Sequence, residues 1–438
     1  LGHIFPREVP MIRRAVGVAL VVLWAGASPA QAAGKLSFED LLANLKSPSA
    51  KTRLEAAVEL GKSRRREAVL PLAALARDPE PKVRLEVVRA LRELRDVTGV
   101  PSLVTALQDG DPKIREEAIG ALVEVYAERP RATPLDAFSD EYDRAQVLPF
   151  TAVDPAVFEG LARTLRDEET GIREQSALAI GILGGSPVVE ALLAALQDPD
   201  GGVRGAAATA IGKVGSSEDG KALVPLLADE SEGVRKRALK AIGVLKVREA
   251  GPGLREMYEA NRRKEMGLRA LACLSRIGDP QQADLFRELI QDPDPERRRQ
   301  AIEGLGRLAD SSMLAAFTKD YQRERNEELK LAYSFALTLL GNRAFLDSIV
   351  LCLPSKTLGS RCRGYILEMG REVLEDLYPY LNDPEADIRA ELCDILAEIG
   401  DPAAIARLEA LVSDPSPKVS DRANRAVERL RRAGGGPR

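Results

Sequence analysis

The sequence predicts an all-α protein, an elongated solenoid of about twelve helical hairpins. Three observations predict it. A phrase of Asp, often Asp-Pro, with Val-Arg or Ile-Arg ending six residues later recurs with a common step of 31 residues, its Arg falling at 173, 204 and 235. Small and apolar residues follow at helical spacing, as Ala207, Ala208, Ala210 and Ile211 follow Arg204. The chain is 45% hydrophobic but only 4% aromatic, which describes a core of Ala, Leu and Val packed by helices.

Taken from the N-terminus, the first element lies outside this fold. From Met11 the chain reads as a secretory signal: Arg13 and Arg14, an apolar run over 15–25, then the box Ala30-Gln31-Ala32. Residues 11–32 are the expected signal, residues 1–10 an upstream segment, and Ala33 the expected mature start. The apolar run falls short of the roughly 20 residues that span a bilayer. Cleavage, export to a periplasmic or secreted location and no membrane insertion afterwards are therefore expected.

Loss of residues 1–32 leaves 60 basic against 66 acidic side chains. That balance offers no general attraction to nucleic acid, and none is expected as a partner. The one histidine, His3, is lost as well. Without it there is no histidine base, no Ser-His-Asp or Cys-His catalysis and no histidine-containing metal site. No C-x-x-C pair, Walker-type phosphate loop or dinucleotide fingerprint in a strand context occurs either. The sequence thus assigns no catalytic residue, no cofactor and no metal, and reads as a non-enzyme.

Residues 33–438 read as one solenoid. The pairs are Asp78 with Arg84, Asp109 with Arg115, Asp167 with Arg173, Asp198 with Arg204, Asp229 with Arg235, Asp292 with Arg298 and Asp383 with Arg389; Asp414 is followed by Ser420 in place of Arg. Arg53 opens the series, and Gly267, Lys330 and Gly359 stand at the same position in degenerate units. In each unit a short first helix, such as 188–196, stops at the Asp-Pro turn, because proline lacks an amide donor. A second helix opens near Val203-Arg204 and closes at Gly215, where glycine permits a left-handed cap. One hairpin cannot bury its apolar face alone, so neighbours stack. So many copies of one Asp–Arg phrase favour architecture over catalysis. The Asp can cap the second helix, and the Arg can bridge to the turn Asp of its own or the next unit with bidentate geometry.

This pattern resembles HEAT repeats, most closely the short phycobilisome-lyase-type subgroup, over residues 38–430. The resemblance implies a right-handed superhelix and a noncatalytic scaffold whose concave face, lined by second helices, binds a protein partner. It also implies an alternative, an enzyme-associated subunit, because the lyase subunits handle a tetrapyrrole and its acceptor protein. HEAT-type deoxyhypusine hydroxylases bind iron through His-Glu motifs, which this chain lacks. HEAT-like DNA glycosylases use a basic face with aromatic contacts, whereas the only tryptophan here, Trp24, lies in the signal.

Partner-binding residues are expected where the repeat departs from itself. The first departure is an insertion at about 128–154, with Pro130, Pro134 and Pro149 among Phe138, Tyr142 and Phe150. It either folds back on the concave face or presents its rings to a partner. The second spans about 250–380, where half of the mature chain's aromatics gather between Phe317 and Tyr380. Phe335 is expected in the core, and Tyr321, Tyr378 and Tyr380 at the surface as further partner-binding candidates. Cys352 and Cys362 flank one hairpin turn and can be brought together by it. Yet Cys273, Cys362 and Cys393 occupy positions that hold Ala, Leu or Ile in other units, where a thiol serves as core. Both readings of that pair stay open. The clusters at 64–66, 262–264 and 297–299 are each balanced by nearby carboxylates and read as solvated helix faces.

Overall fold

The computed structural model of the protein describes residues 36–127 and 152–434. The expected signal at 11–32, the segment at 1–10, and Phe138, Tyr142 and Phe150 of the insertion lie outside them. Among the described residues the regular elements are all helices, paired into twelve hairpins. None of those helices is long and apolar enough to cross a membrane.

The fifth unit shows how the repeat phrase builds a hairpin. Its first helix is Val189–Ala195 and its second Gly201–Val214. Between them Asp198 accepts the amide of Asp200 at 2.9 Å. Asp200 in turn caps the second helix, accepting the amides of Gly202 and Val203 at 2.8 and 3.2 Å. The same division of labour recurs at Asp109 with Asp111 and at Asp292 with Asp294. The repeat Asp therefore does not cap the helix, as the sequence suggested. It orients the residue that does.

Closure of the second helix follows one rule. The residue eleven after the Arg position takes positive φ at Gly184, Gly278, Gly341, Gly370 and Gly400. Arg64, Arg95, Lys246 and Ala309 stand at the same place and adopt the same left-handed geometry without being glycine. Tyr126 and Arg431 still lie within their helices, and Gly215 departs too: its φ is −80°, so the expected left-handed cap does not form there. Its chain runs extended into Ser216, which opens the next helix, Ser217–Gly220, with a capping box. Glycine still serves there, because a Cβ would lie 2.7 Å from the Ile211 carbonyl oxygen.

Stacking depends on small residues where second helices cross. A Cβ on Gly212 would sit 2.8 Å from Ala241, and one on Gly306 would sit 2.6 Å from Ala336. The resulting core runs from Leu41 to Leu337, and a second cluster runs from Leu331 to Leu430. They meet on helix Glu327–Leu339, whose Tyr333 faces the first cluster and whose Phe335 faces the second. Beyond it the stack loosens: this helix hardly touches the next second helix, Gly359–Met369.

Candidate functional site

The Asp and Arg of the repeat form a ladder between units. Arg204 donates Nε and Nη2 to both oxygens of Asp229 at 2.7 and 2.9 Å, and Nη1 to the carbonyls of Asp198 and Pro199. The carboxylate comes from the next unit and the carbonyls from the Arg's own. The same fork joins Arg53 to Asp78, Arg84 to Asp109, Arg173 to Asp198 and Arg389 to Asp414. Arg115 joins Asp167 at 2.7 Å across 52 residues, so units three and four stack directly despite the insertion between them. The Arg204 fork holds the Asp229 carboxyl below its usual range, as Arg389 does for Asp414. At Asp78, Asp109, Asp167 and Asp198 burial pushes upward, and the arginine and amide bonds outweigh it.

The ladder does not include every phrase the sequence offered. Arg235 and Arg298 reach only carbonyls of their own turns. The residues 25 positions on from them are Ala260 and Arg323, so no carboxylate meets the guanidinium. Asp292 is held instead by Arg297 at 2.9 Å. In two degenerate units the Arg position must be glycine. A Cβ at Gly267 would lie 2.1 Å from the Asn261 carbonyl oxygen, and one at Gly359 would lie 2.3 Å from that of Leu353.

Several predicted surface residues are otherwise employed. Tyr378 is a core residue with 8% exposure, and its hydroxyl finds no hydrogen-bond partner among the described residues. The expectation of an accessible Tyr378 is therefore wrong: its short helix turn packs inward against the second cluster. Tyr321 is half-buried, shares a hydrogen bond with Ser348 at 3.0 Å and meets Phe345 edge-on. Tyr380 donates to Asp347 at 3.0 Å, and burial with that contact pushes its hydroxyl up to about 12. Both tyrosines stitch first helices of adjacent units and lie off the second-helix layer. The basic clusters are also engaged: Arg66 with Asp96, Arg262 with Glu259, Arg299 with Glu296 and Glu303.

One constellation was not read from the sequence. On helix Pro295–Arg307, Glu303 and Arg307 sit among Arg299, Tyr365 and Glu368. Arg307 makes a two-pronged bond to Glu368 at 2.8 and 3.0 Å and also reaches Ser275 at 2.9 Å. Tyr365 donates to Glu303 at 2.6 Å and stacks on Phe335 at 4.1 Å. Burial would raise the Glu368 carboxyl, but the Arg307 bonds bring it below its usual value. Burial also pushes the Tyr365 hydroxyl well up, with Glu303 adding to it. Glu303 stands five residues after the Arg position and Arg307 and Glu368 nine after it, positions that carry long charged side chains in several other units and so gave no distinguishing signal.

This network locates the inside of the curve. Arg307 and Glu368 are two units apart and bond past the intervening one, which demands that both point inward. Lys246 lies 4.0 Å from the same Glu368 although three units stand between theirs. By repeat equivalence Lys213, Lys240, Val244 and Arg276 belong to that inner face. Val244 is 45% exposed, an apolar side chain among bases. Every charge named in the network has an opposite charge against it, so the arrangement holds helices together. Among the described residues no group of three or more His, Cys, Asp or Glu could hold a metal ion.

Comparison with known proteins adds one family. A family model described as HEAT repeats matches residues 38–123, 71–143, 145–212, 189–271, 251–338 and 369–436. No curated protein matches. Among solved structures, an engineered protein is 18% identical, with 90% of this chain and 98% of that one covered at a TM-score of 0.37. YibA of Escherichia coli is 21% identical, with 62% and 92% covered at 0.40. The complex of CpcE and CpcF of phycocyanin lyase from Nostoc sp. PCC7120 is 22% identical, with 64% and 98% covered at 0.30.

Proposed function

Because the chain belongs to the HEAT-repeat family, we propose that it is an exported, noncatalytic scaffold that binds a protein partner through the inner, second-helix face of its stack. One observation carries this reading. The ladder and the core repeat from unit to unit, while the inner face changes: Ile182, Lys213, Val244 and Arg276 occupy one position on successive second helices. Positions that repeat build the stack, and positions that vary give a partner something specific to recognise. Export rests on residues 11–32 alone.

Affinity capture from the envelope fraction tests the proposal. The wild-type chain should retain one protein at fixed stoichiometry, and a Lys240→Glu, Arg276→Glu variant of unchanged stability should lose it. Equal retention by both would remove the inner face from the proposal. The other reading, a subunit serving an enzyme that handles a cofactor or acceptor protein, would show itself as a visible absorbance band or stoichiometric metal in the purified protein.

A further inference from the structure

Cys352 and Cys362 are free thiols at the two sides of one irregular connection between helices. That connection, residues 351–358, lies between helices Leu346–Val350 and Gly359–Met369. Its backbone presses onto the second helix, with the Leu353 and Cys352 carbonyl oxygens 2.3 and 3.7 Å from where a Cβ on Gly359 would stand. Cys362 follows Gly359 by three residues and so lies on the same face of that helix. Cys362 is fully buried in the C-terminal cluster, and Cys352, half-buried, packs against the same cluster. Burial, and then the neighbouring Cys352, pushes the Cys362 thiol upward. Cys273, by contrast, donates to the Leu239 carbonyl at 3.2 Å in a different unit.

We propose that Cys352 and Cys362 form an intrachain disulfide that fastens the two helices of the tenth unit to each other. The oxidant is a disulfide, RSSR, acting by thiol–disulfide exchange. Cys352, the less buried of the two, attacks one sulfur of RSSR, giving a mixed disulfide and releasing one RSH. Cys362 gives its proton to solvent, and its sulfur displaces the second thiolate, which is protonated to RSH. Two electrons and two protons thus pass from the protein dithiol to RSSR, leaving one protein disulfide and two RSH. The link closes a short loop inside the second cluster, so it restrains the irregular connection 351–358 of the tenth unit.

The test uses the full chain, equilibrated with excess oxidised glutathione, blocked with iodoacetamide and digested without reductant. A peptide joining Cys352 to Cys362 is expected, with an intact mass lower by two hydrogens. The unfolding midpoint should rise by roughly 2–5 °C over the reduced chain, and Cys352→Ser should lose both effects. Alkylation of both thiols after oxidation would overturn the proposal. So would glutathione retained on Cys352, or a link from either cysteine to Cys273 or Cys393. The peptide map is read on the wild-type chain, so it decides the matter even if the variant folds poorly.

Discussion

At the residue scale, each ladder arginine serves two units at once, and its loss strands a nearly buried carboxylate. Arg204→Ala should therefore cost about 2–4 kcal/mol, read as a lower denaturant midpoint, while leaving partner capture unchanged. An equal loss of capture at unchanged stability would instead assign Arg204 to binding. The six ladder aspartates titrate below their usual range. A lowered folded pKa adds stability that is complete above the ordinary carboxyl range and fades as pH falls through the folded value. Stability should accordingly be flat from neutral down to about pH 5 and fall steeply below about pH 4, and Asp229→Asn should make that fall shallower. The Asp–Arg register was legible because one spacing recurs. The direction of the bond was not, since the step from Arg to the next unit's Asp competes with the step to its own. The left-handed closures at Lys246 and Ala309 are a cost that sequence patterns hide. Ala309→Gly should stabilise by about 1 kcal/mol by thermal or chemical unfolding, because it relieves φ of 53°.

At the element scale, the irregular units have a backbone cause. Units seven and ten lack the Asp-Pro turn, their connections run against the second helix, and glycine replaces arginine to admit a carbonyl. Restoring the consensus should therefore fail. Gly359→Arg is expected to destabilise by several kcal/mol, measured by equilibrium unfolding, although it makes the repeat more regular. The aromatic richness of 317–380 was visible in the sequence, but its use was not. Tyr378 fills core, Tyr321 and Tyr380 tie first helices, and Phe335 stacks on Tyr365 under Arg307. Only the last of these, the core placement of Phe335, was predicted. Periodicity gives the face a residue occupies, whereas the Arg307–Glu368 contact depends on how sharply the stack curves. Glu368→Ala leaves Arg307 buried with Glu303 as its one bonded carboxylate and should cost about 3–5 kcal/mol. Hydrogen exchange should show the loss concentrated in units eight to ten.

At the scale of the whole molecule, length counts repeats. Among the described residues twelve hairpins stack through helix crossings at small residues, and the order of units was readable because most carry the same phrase and the degenerate ones keep its spacing. What the phrase cannot encode is the curve, set by many small rotations between neighbours, and with it the identity of the inner face. Lys240, Val244 and Arg276 look like ordinary solvent-facing helix positions until Arg307 and Glu368 show which way the stack bends. The account's central claim is that this face, and not the ladder or the first-helix tyrosines, receives the partner. The most direct measurement compares capture by four chains: wild type, Lys240→Glu with Arg276→Glu, Tyr321→Ala with Tyr380→Ala, and Arg204→Ala. Loss of the partner by the inner-face variant alone, with all four folded, is the predicted result. Retention by that variant, or loss confined to the tyrosine variant, would contradict it.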